Sequence, residues 1–299
     1  MPPETSDLLA NYQARVSNGE FDAQWPDLVA GIERIYTNGE DEGISLGYES
    51  LKELWSAAKG QLVIISGVPS HAKSTLVDNI TINLARSNGM KTSFFSPEHF
   101  PYHLHVRKLI ETYTGSSLRY RDRSGKVYLM PSSDIAESMS FIKKHFYWMI
   151  LPDPSLPEIM EMWTHHIVDF GCEICVLDPW NEVSQMLLPH ETETSYINRC
   201  LTGLRRFARK MNVLLIVLVH PKGLARNRDG CFPVPSLSDC AGSASWRAKA
   251  DVGIICHRKD IMDGNEVDIH VQKVKFRQNG RAGIATLSFK NIYSPKLYG

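Results

Sequence analysis

Lys73, Ser74 and Thr75 directly follow a turn of small and polar residues: Gly67, Val68, Pro69, Ser70, His71 and Ala72. An ammonium and two hydroxyls at the end of such a turn suit one task, the holding of a phosphorylated ligand. The turn directs backbone N–H groups inward, the start of a following helix adds partial positive charge, and the Lys73 ammonium reaches the terminal phosphates. The Ser74 hydroxyl is placed to ligate magnesium. Residues 67–75 are thus the candidate cradle for a nucleotide. One position departs from the usual pattern. Ala72 stands where a second glycine is common; alanine accepts close backbone approach in a right-handed helical conformation, but not an easy positive φ. Taken alone, the stretch also fits an ordinary strand, turn and helix with a chance Lys-Ser pair.

The apolar pattern supplies the elements that would position these groups. Leu62 to Ile65 form a β-type run before the turn, and Leu76, Val77, Ile80 and Leu84 have helical spacing after it. Further strand candidates lie at 91–96, 146–151, 174–177 and 213–219. Helical faces separate them, one traced by Leu156, Ile159, Met160, Trp163, Ile167 and Phe170, another by Ile197, Leu201, Leu204 and Phe207. This alternation predicts an α/β fold with a mostly parallel central sheet flanked by helices. Near-continuous apolar strands fit a sheet covered on both faces. After Asp251 the texture changes. Runs at 252–256, 267–274 and 284–289, joined by short turns, predict C-terminal antiparallel strands that extend the sheet.

In open α/β sheets, ligands bind beyond the carboxyl ends of the strands. Glu98, Asp178 and His220 each follow an apolar run. A carboxylate held on a strand end near Ser74 suits a magnesium ion, and Asp178 takes that role. Glu98 can orient or deprotonate an attacking water, although Pro97-Glu98 also suits the first turn of a helix. His220 is a polar sensor. Two stretches are locally basic. Residues 220–229, HPKGLARNRD, carry Lys222, Arg226 and Arg228 in a loop able to track a nucleic-acid backbone. Residues 273–281, KVKFRQNGR, hold cations and no acid, and can send one into a neighbouring subunit's phosphate site. Both loops are expected at the catalytic edge of the sheet; each alone also reads as a solvated positive loop.

The 33 basic and 33 acidic side chains balance, so no global charge points to nucleic acid or to a membrane. No apolar run nears the ~18 residues of a membrane span. The first residues lack the basic-then-apolar pattern of a secretory signal, so a cytoplasmic location with reduced thiols is expected. Cys172 and Cys175 form a Cys-x-x-Cys in an apolar run, which favours core residues over a zinc or redox pair. The histidines are scattered; His103, His105, His165 and His166 read as solvated helix positions, and no metal cluster emerges. Residues 1–42 carry apolar residues at helical spacing (Leu8, Leu9, Tyr12; Leu28, Ile32, Ile35) and read as a helical linker or subunit-contact segment before a domain at 43–299.

Taken in order, seven stretches between about Gly43 and Phe289 resemble the helicase domain of hexameric replicative DNA helicases, the group of DnaB, Twinkle and the phage primase–helicases. They are GISLGYESLKEL, GVPSHAKST, FFSPEH, VLDPWNE, VLVHPKG, DCAGSASWRAKADVGI and KVKFRQNGRAG. The DPWN form is similar to the phage and mitochondrial branch. The resemblance implies a RecA-like P-loop core that hydrolyses ATP with Mg2+ at the interfaces of a homo-oligomeric ring of six. It makes Glu98 the catalytic carboxylate, Asp178 the magnesium ligand and His220 the γ-phosphate sensor. Lys275 and Arg277 become the cations that reach in from the next subunit. Single-stranded DNA is the implied track, moved 5′ to 3′ past loops bearing Lys222, Arg226 and Arg228. Primase and polymerase are implied partners, in a bacterial or phage replication setting. Ala72 departs from the family pattern, and so does Ala248, where many relatives carry glutamine. These departures keep a second reading open, a RecA-like regulatory or recombination ATPase that oligomerises without unwinding. A third is a structural nucleotide-binding subunit with little turnover.

Overall fold

The computed structural model describes residues 14, 19, 25–122, 124–225, 227, 232–240, 242, 244–259, 264–289 and 295–299. The chain forms two compact units, Met1–Glu42 and Gly43–Gly299. In the first, helix α1 (Trp25–Asn38) carries Leu28, Ile32 and Ile35 at helical spacing, and none of its residues is buried. Leu8, Leu9 and Tyr12 lie outside the described residues.

The second unit begins its sheet with β1 (Leu62–Ser66), which runs through the candidate cradle into α2 (Lys73–Asn88). Then follow β2 (Lys91–Phe95), α3 (Tyr102–Thr114) and a hairpin of β3 (Arg119–Arg121) and β4 (Val127–Leu129). Next come α4 (Ser132–His145), β5 (Phe146–Trp148), α5 (Leu156–Phe170), β6 (Cys172–Leu177), α6 (Glu193–Met211) and β7 (Leu214–Val219). The chain ends with α7 (Ser245–Lys249), β8 (Val252–His257), β9 (Glu266–Val274), β10 (Gly283–Phe289) and β11 (Leu297–Tyr298).

All but the β3–β4 hairpin join one sheet in the order β11-β10-β9-β8-β1-β7-β6-β2-β5. β1 lies between β7 and β8, parallel to both. The antiparallel part therefore starts one strand later than the sequence suggests. The segment between β7 and β8 is long enough for a crossover, and a crossover returns the chain in the parallel sense; β9, β10 and β11 then alternate.

Each central strand feeds two cores. Val63 and Ile65 pack with Leu76, Val77 and Ile80 of α2, whereas Leu62 and Ile64 pack with Leu201 and Leu204 of α6. Burial on both faces is why β1 and β7 read as unbroken apolar runs. Helix α5 starts at a capping box, in which Ser155 and Glu158 satisfy one another's backbone N–H groups.

Two histidines differ from the sequence reading. His105 Nε2 lies 2.9 Å from Asp78, and His166 Nδ1 lies 2.7 Å from the Ser93 hydroxyl; both rings are buried. Their helices turn these polar positions inward because partners on α2 and β2 await them. Cys172 and Cys175 are free and buried, and burial pushes the Cys172 thiol up to about 12, so it is inert at neutral pH. Among the described residues, no helix is long and apolar enough to cross a membrane.

Candidate nucleotide site

The turn after β1 opens at the carboxyl edge of the parallel strands. Gly67 has φ +148, and a Cβ there would lie 2.4 Å from the Cys256 carbonyl oxygen, so the loop passes β8 only with glycine. Ser70 and Ala72 both adopt left-handed backbone, φ 68 and 66. Ala72 thus takes the conformation a glycine would favour, at a cost of about 1–2 kcal/mol. Ala72→Gly is expected to stabilise the chain by about 0.5–1 kcal/mol, once the extra freedom of glycine in the unfolded chain is subtracted. Chemical unfolding measures it; a destabilised variant would mean that Ala72 carries no strain.

A cavity of about 400 Å3 opens at this turn, walled by Pro69, Ser70, Ala72, Lys73, Ser74 and Thr75 of the loop. Glu98, Asp178 and His220 join the wall from the ends of β2, β6 and β7, and Phe289 closes it from β10. Lys73 is buried and donates from Nζ to the carbonyls of Gly67 and Val68, at 2.8 and 3.2 Å. Burial lowers its pKa, and Cys256, Asp178 and Glu98 oppose that shift. The His71 side chain is absent from the wall. It turns beneath the loop, where Nδ1 accepts the Arg258 backbone N–H at 3.0 Å.

Asp178 directly follows β6, and its N–H bonds the Phe95 carbonyl at 2.9 Å, which ties it to the end of β2. Burial pushes its carboxyl up to about 6, partly offset by a hydrogen bond from the Ser74 hydroxyl. A buried carboxylate beside a hydroxyl is an oxygen donor set, and it fits Mg2+. Glu98 sits in a single 3-10 turn, Pro97–His99, and is half-exposed. Its Oε1 lies 3.7 Å from His220 Nε2. Burial and Lys73 lower the His220 pKa, so the imidazole faces Glu98 neutral.

Three wall residues carried no sequence signal as ligands: His99, Lys108 and Arg258. Lys108 lies one helix away in sequence, and only the packing of α3 on α2 brings its Nζ to 2.7 Å from Asp78. Asp78 is buried, and its pKa is held below the ordinary 3.8 by Lys108 and His105 against desolvation. Lys108→Met is expected to cost about 3 kcal/mol, because it strands a buried carboxylate. A depressed carboxylate stabilises the fold above its unfolded pKa and loses that contribution as pH falls below it. The difference between variant and parent should therefore shrink below pH 3.8. Urea unfolding at pH 7 and pH 3 reads it; equal stability at pH 7 would show that Asp78 does not depend on Lys108.

The two basic loops separate. Lys222 follows β7 at the cavity edge, is exposed, and its N–H bonds the Asp239 carbonyl at 2.8 Å. Arg226 and Arg228 lie outside the described residues. The second loop is not at the catalytic edge. β9 is antiparallel to β8, with Val274 opposite Val252, so Lys275 and Arg277 emerge at the amino edge of the parallel strands. Both are exposed; Lys275 Nζ lies 3.5 Å from Asp251 and 4.8 Å from the Phe276 ring centroid. The physical reason is strand direction, which spacing alone does not reveal.

Residues 43–295 match the model of the DnaB-like helicase C-terminal domain. The chain belongs to that family. It is 31% identical over 259 residues to the Twinkle homolog protein, chloroplastic/mitochondrial, of Arabidopsis thaliana, a match covering 85% of this chain and 36% of the relative. It is 26% identical over 274 residues to the replicative DNA helicase DnaB of Treponema pallidum, covering 90% of this chain and 59% of the relative. It therefore spans only part of these relatives. Among solved structures, an isolated ATPase domain superposes with a TM-score of 0.74 at 18% identity, covering 92% of this chain and 98% of that one. A DnaB-like replicative helicase studied with primase gives 0.73 at 18% identity, covering 91% and 65%. The mixed sheet is accordingly the RecA-like core of DnaB-type ATPase domains, and the Treponema pallidum relative is named a replicative DNA helicase, a class of ATP-hydrolysing enzyme.

Proposed function

We propose that this DnaB-family domain is the motor of a ring-shaped DNA helicase that couples ATP hydrolysis at subunit interfaces to movement on single-stranded DNA. One observation carries the reading: the nucleotide cavity and the Lys275/Arg277 turn lie at opposite edges of the same sheet. A chain built this way can donate its cations only to another copy, and head-to-tail donation gives a ring when the rotation between copies closes. In each cavity, the loop backbone and Lys73 hold the phosphates. Ser74 and Asp178 hold Mg2+, which neutralises phosphate charge when bound. Glu98 orients and deprotonates the attacking water, and neutral His220 beside it senses the terminal phosphate. Lys222, Arg226 and Arg228 contact the DNA backbone. The exposed apolar face of α1 fits the role of a contact onto a neighbouring copy, and primase and polymerase are the partners of the assembled machine.

The test is ATP turnover with and without single-stranded DNA. Turnover that DNA stimulates several-fold, and that Lys73→Ala removes, supports the motor. Turnover indifferent to DNA favours the regulatory or recombination ATPase, the reading that left-handed Ala72 and exposed Ala248 keep open. Strand-displacement assays then separate the two.

A further inference from the structure

His257, Asp268 and His270 share one face of the sheet on the β8–β9 ladder. His257 ends β8 directly opposite Asp268, and His270 stands two residues along β9 on the same face. Side chains opposite or diagonal in an antiparallel pair lie within mutual reach. Here one ligand atom from each residue lies within 4.8 Å of the other two.

Each imidazole keeps one nitrogen that no other group claims among the described residues. His257 is 7% exposed; its Nε2 donates to the Phe232 carbonyl at 3.1 Å, which leaves the lone pair on Nδ1. That Nδ1 is buried without a hydrogen-bond partner among the described residues, and so is His270 Nε2. Asp268 is 8% exposed, and its carboxylate accepts the Thr286 hydroxyl at 2.7 Å and meets Lys259 at 3.0 Å. Thr286 is the cross-strand neighbour of Asp268 on β10, so three adjacent strands hold the group. An imidazole that gives one N–H to a backbone carbonyl and offers the other nitrogen is the arrangement of a metal-bound histidine. A buried imidazole nitrogen with no partner is otherwise a net cost.

We propose that His257, Asp268 and His270 form a site for a zinc-class divalent cation, with a fourth position open. Two imidazoles and one carboxylate suit Zn2+, whereas Mg2+ prefers oxygen donors; the site is chemically separate from the Ser74–Asp178 pair. It clamps β8 to β9 beneath the nucleotide loop, since the His71 and His257 ring centroids lie 5.2 Å apart. His71 is not a ligand. Its Nδ1 accepts from Arg258, so its Nε2 carries the proton, a buried donor with no acceptor. In the other grouping of this kind among the described residues, Asp78, His99 and His105, no imidazole nitrogen is buried without a partner: His105 engages Asp78 and Trp148, and His99 engages Ser96.

The test is Zn2+ binding by the full chain, free of any polyhistidine tag and stripped with chelator. Competition against a chromophoric chelator gives affinity, elemental analysis gives stoichiometry, and Co2+ substitution gives a visible tetrahedral spectrum. We expect one zinc per chain, about tenfold or more weaker binding in His257→Gln and His270→Gln, and no change in His99→Gln. Asp268→Asn, which preserves shape, serves if an imidazole variant fails to fold. No zinc uptake by the wild-type chain overturns the proposal. So does uptake that survives all the site variants, or that is lost only in His99→Gln.

Discussion

Glu98→Gln is expected to lower ATP turnover by about 10^2–10^4-fold while nucleotide affinity changes little. Glutamine keeps the size and the hydrogen-bonding reach of the side chain but cannot accept the water's proton. The groups proposed to hold the phosphates and Mg2+ are elsewhere on the wall, on the loop from Pro69 to Thr75 and at Asp178. Position favours Glu98 over the other wall carboxylate. Asp178 is 4% exposed and engaged by Ser74, whereas the Glu98 side chain is 47% exposed and open to solvent water. Neutral His220 at 3.7 Å leaves the Glu98 carboxylate without a charge partner on that side. Steady-state turnover together with equilibrium nucleotide binding decides it. Normal turnover in the variant would remove Glu98 from the role, and a matching loss of binding would make it a structural residue.

Much of this site was legible because the groups follow apolar runs. A strand that ends at the carboxyl edge places its next residue in the crevice, so Glu98, Asp178 and His220 could be found from runs at 91–96, 174–177 and 213–219. Strands β1, β6 and β7 were likewise legible, because strands buried on both faces leave apolar segments; β5, at the sheet edge, stops at Trp148, short of the apolar run at 146–151. Direction was legible only in part. β9 and β10 are antiparallel as their texture suggests, but β8 runs with β1, so the reversal of β9 starts from a parallel strand. That difference moves Lys275 and Arg277 to the far edge of the sheet. The conformation of Ala72 was hidden too, since the loop closure that imposes φ 66 is set by tertiary packing. Lys108 and Arg258 reach the cavity through packing of α3 and at the end of β8, and His99 through the same turn that carries Glu98. The cluster of His257, Asp268 and His270 needs a register, and register between two strands is fixed only when the turn and the buried face are both known.

Arg277→Ala should lower turnover by about 10^3–10^5-fold and should be rescued by mixing with an equally inactive partner, Lys73→Ala. The expectation follows from the strand directions. Within one chain, β9 separates the Arg277 turn from the cavity edge along its nine residues, about 30 Å at about 3.4 Å per residue. An arginine cannot bridge that span, so its loss from one subunit damages the cavity of the next. In a mixed ring, an Arg277→Ala subunit still offers a sound cavity, and a neighbouring Lys73→Ala subunit still offers a sound arginine. Random assembly from equal amounts places that pair at about a quarter of the interfaces. Independent sites would then recover about that share of wild-type turnover, and a ring that fires its sites in sequence would recover less, though more than either parent. The measurement is ATP turnover across mixing ratios, with assembly checked by size. Activity that never exceeds the parents in rings of proven mixed composition would place the finger elsewhere. Full activity of Arg277→Ala alone would show that the exposed turn serves no phosphate, and weight would pass to Lys275, one residue from the end of β9 and already drawn toward Asp251.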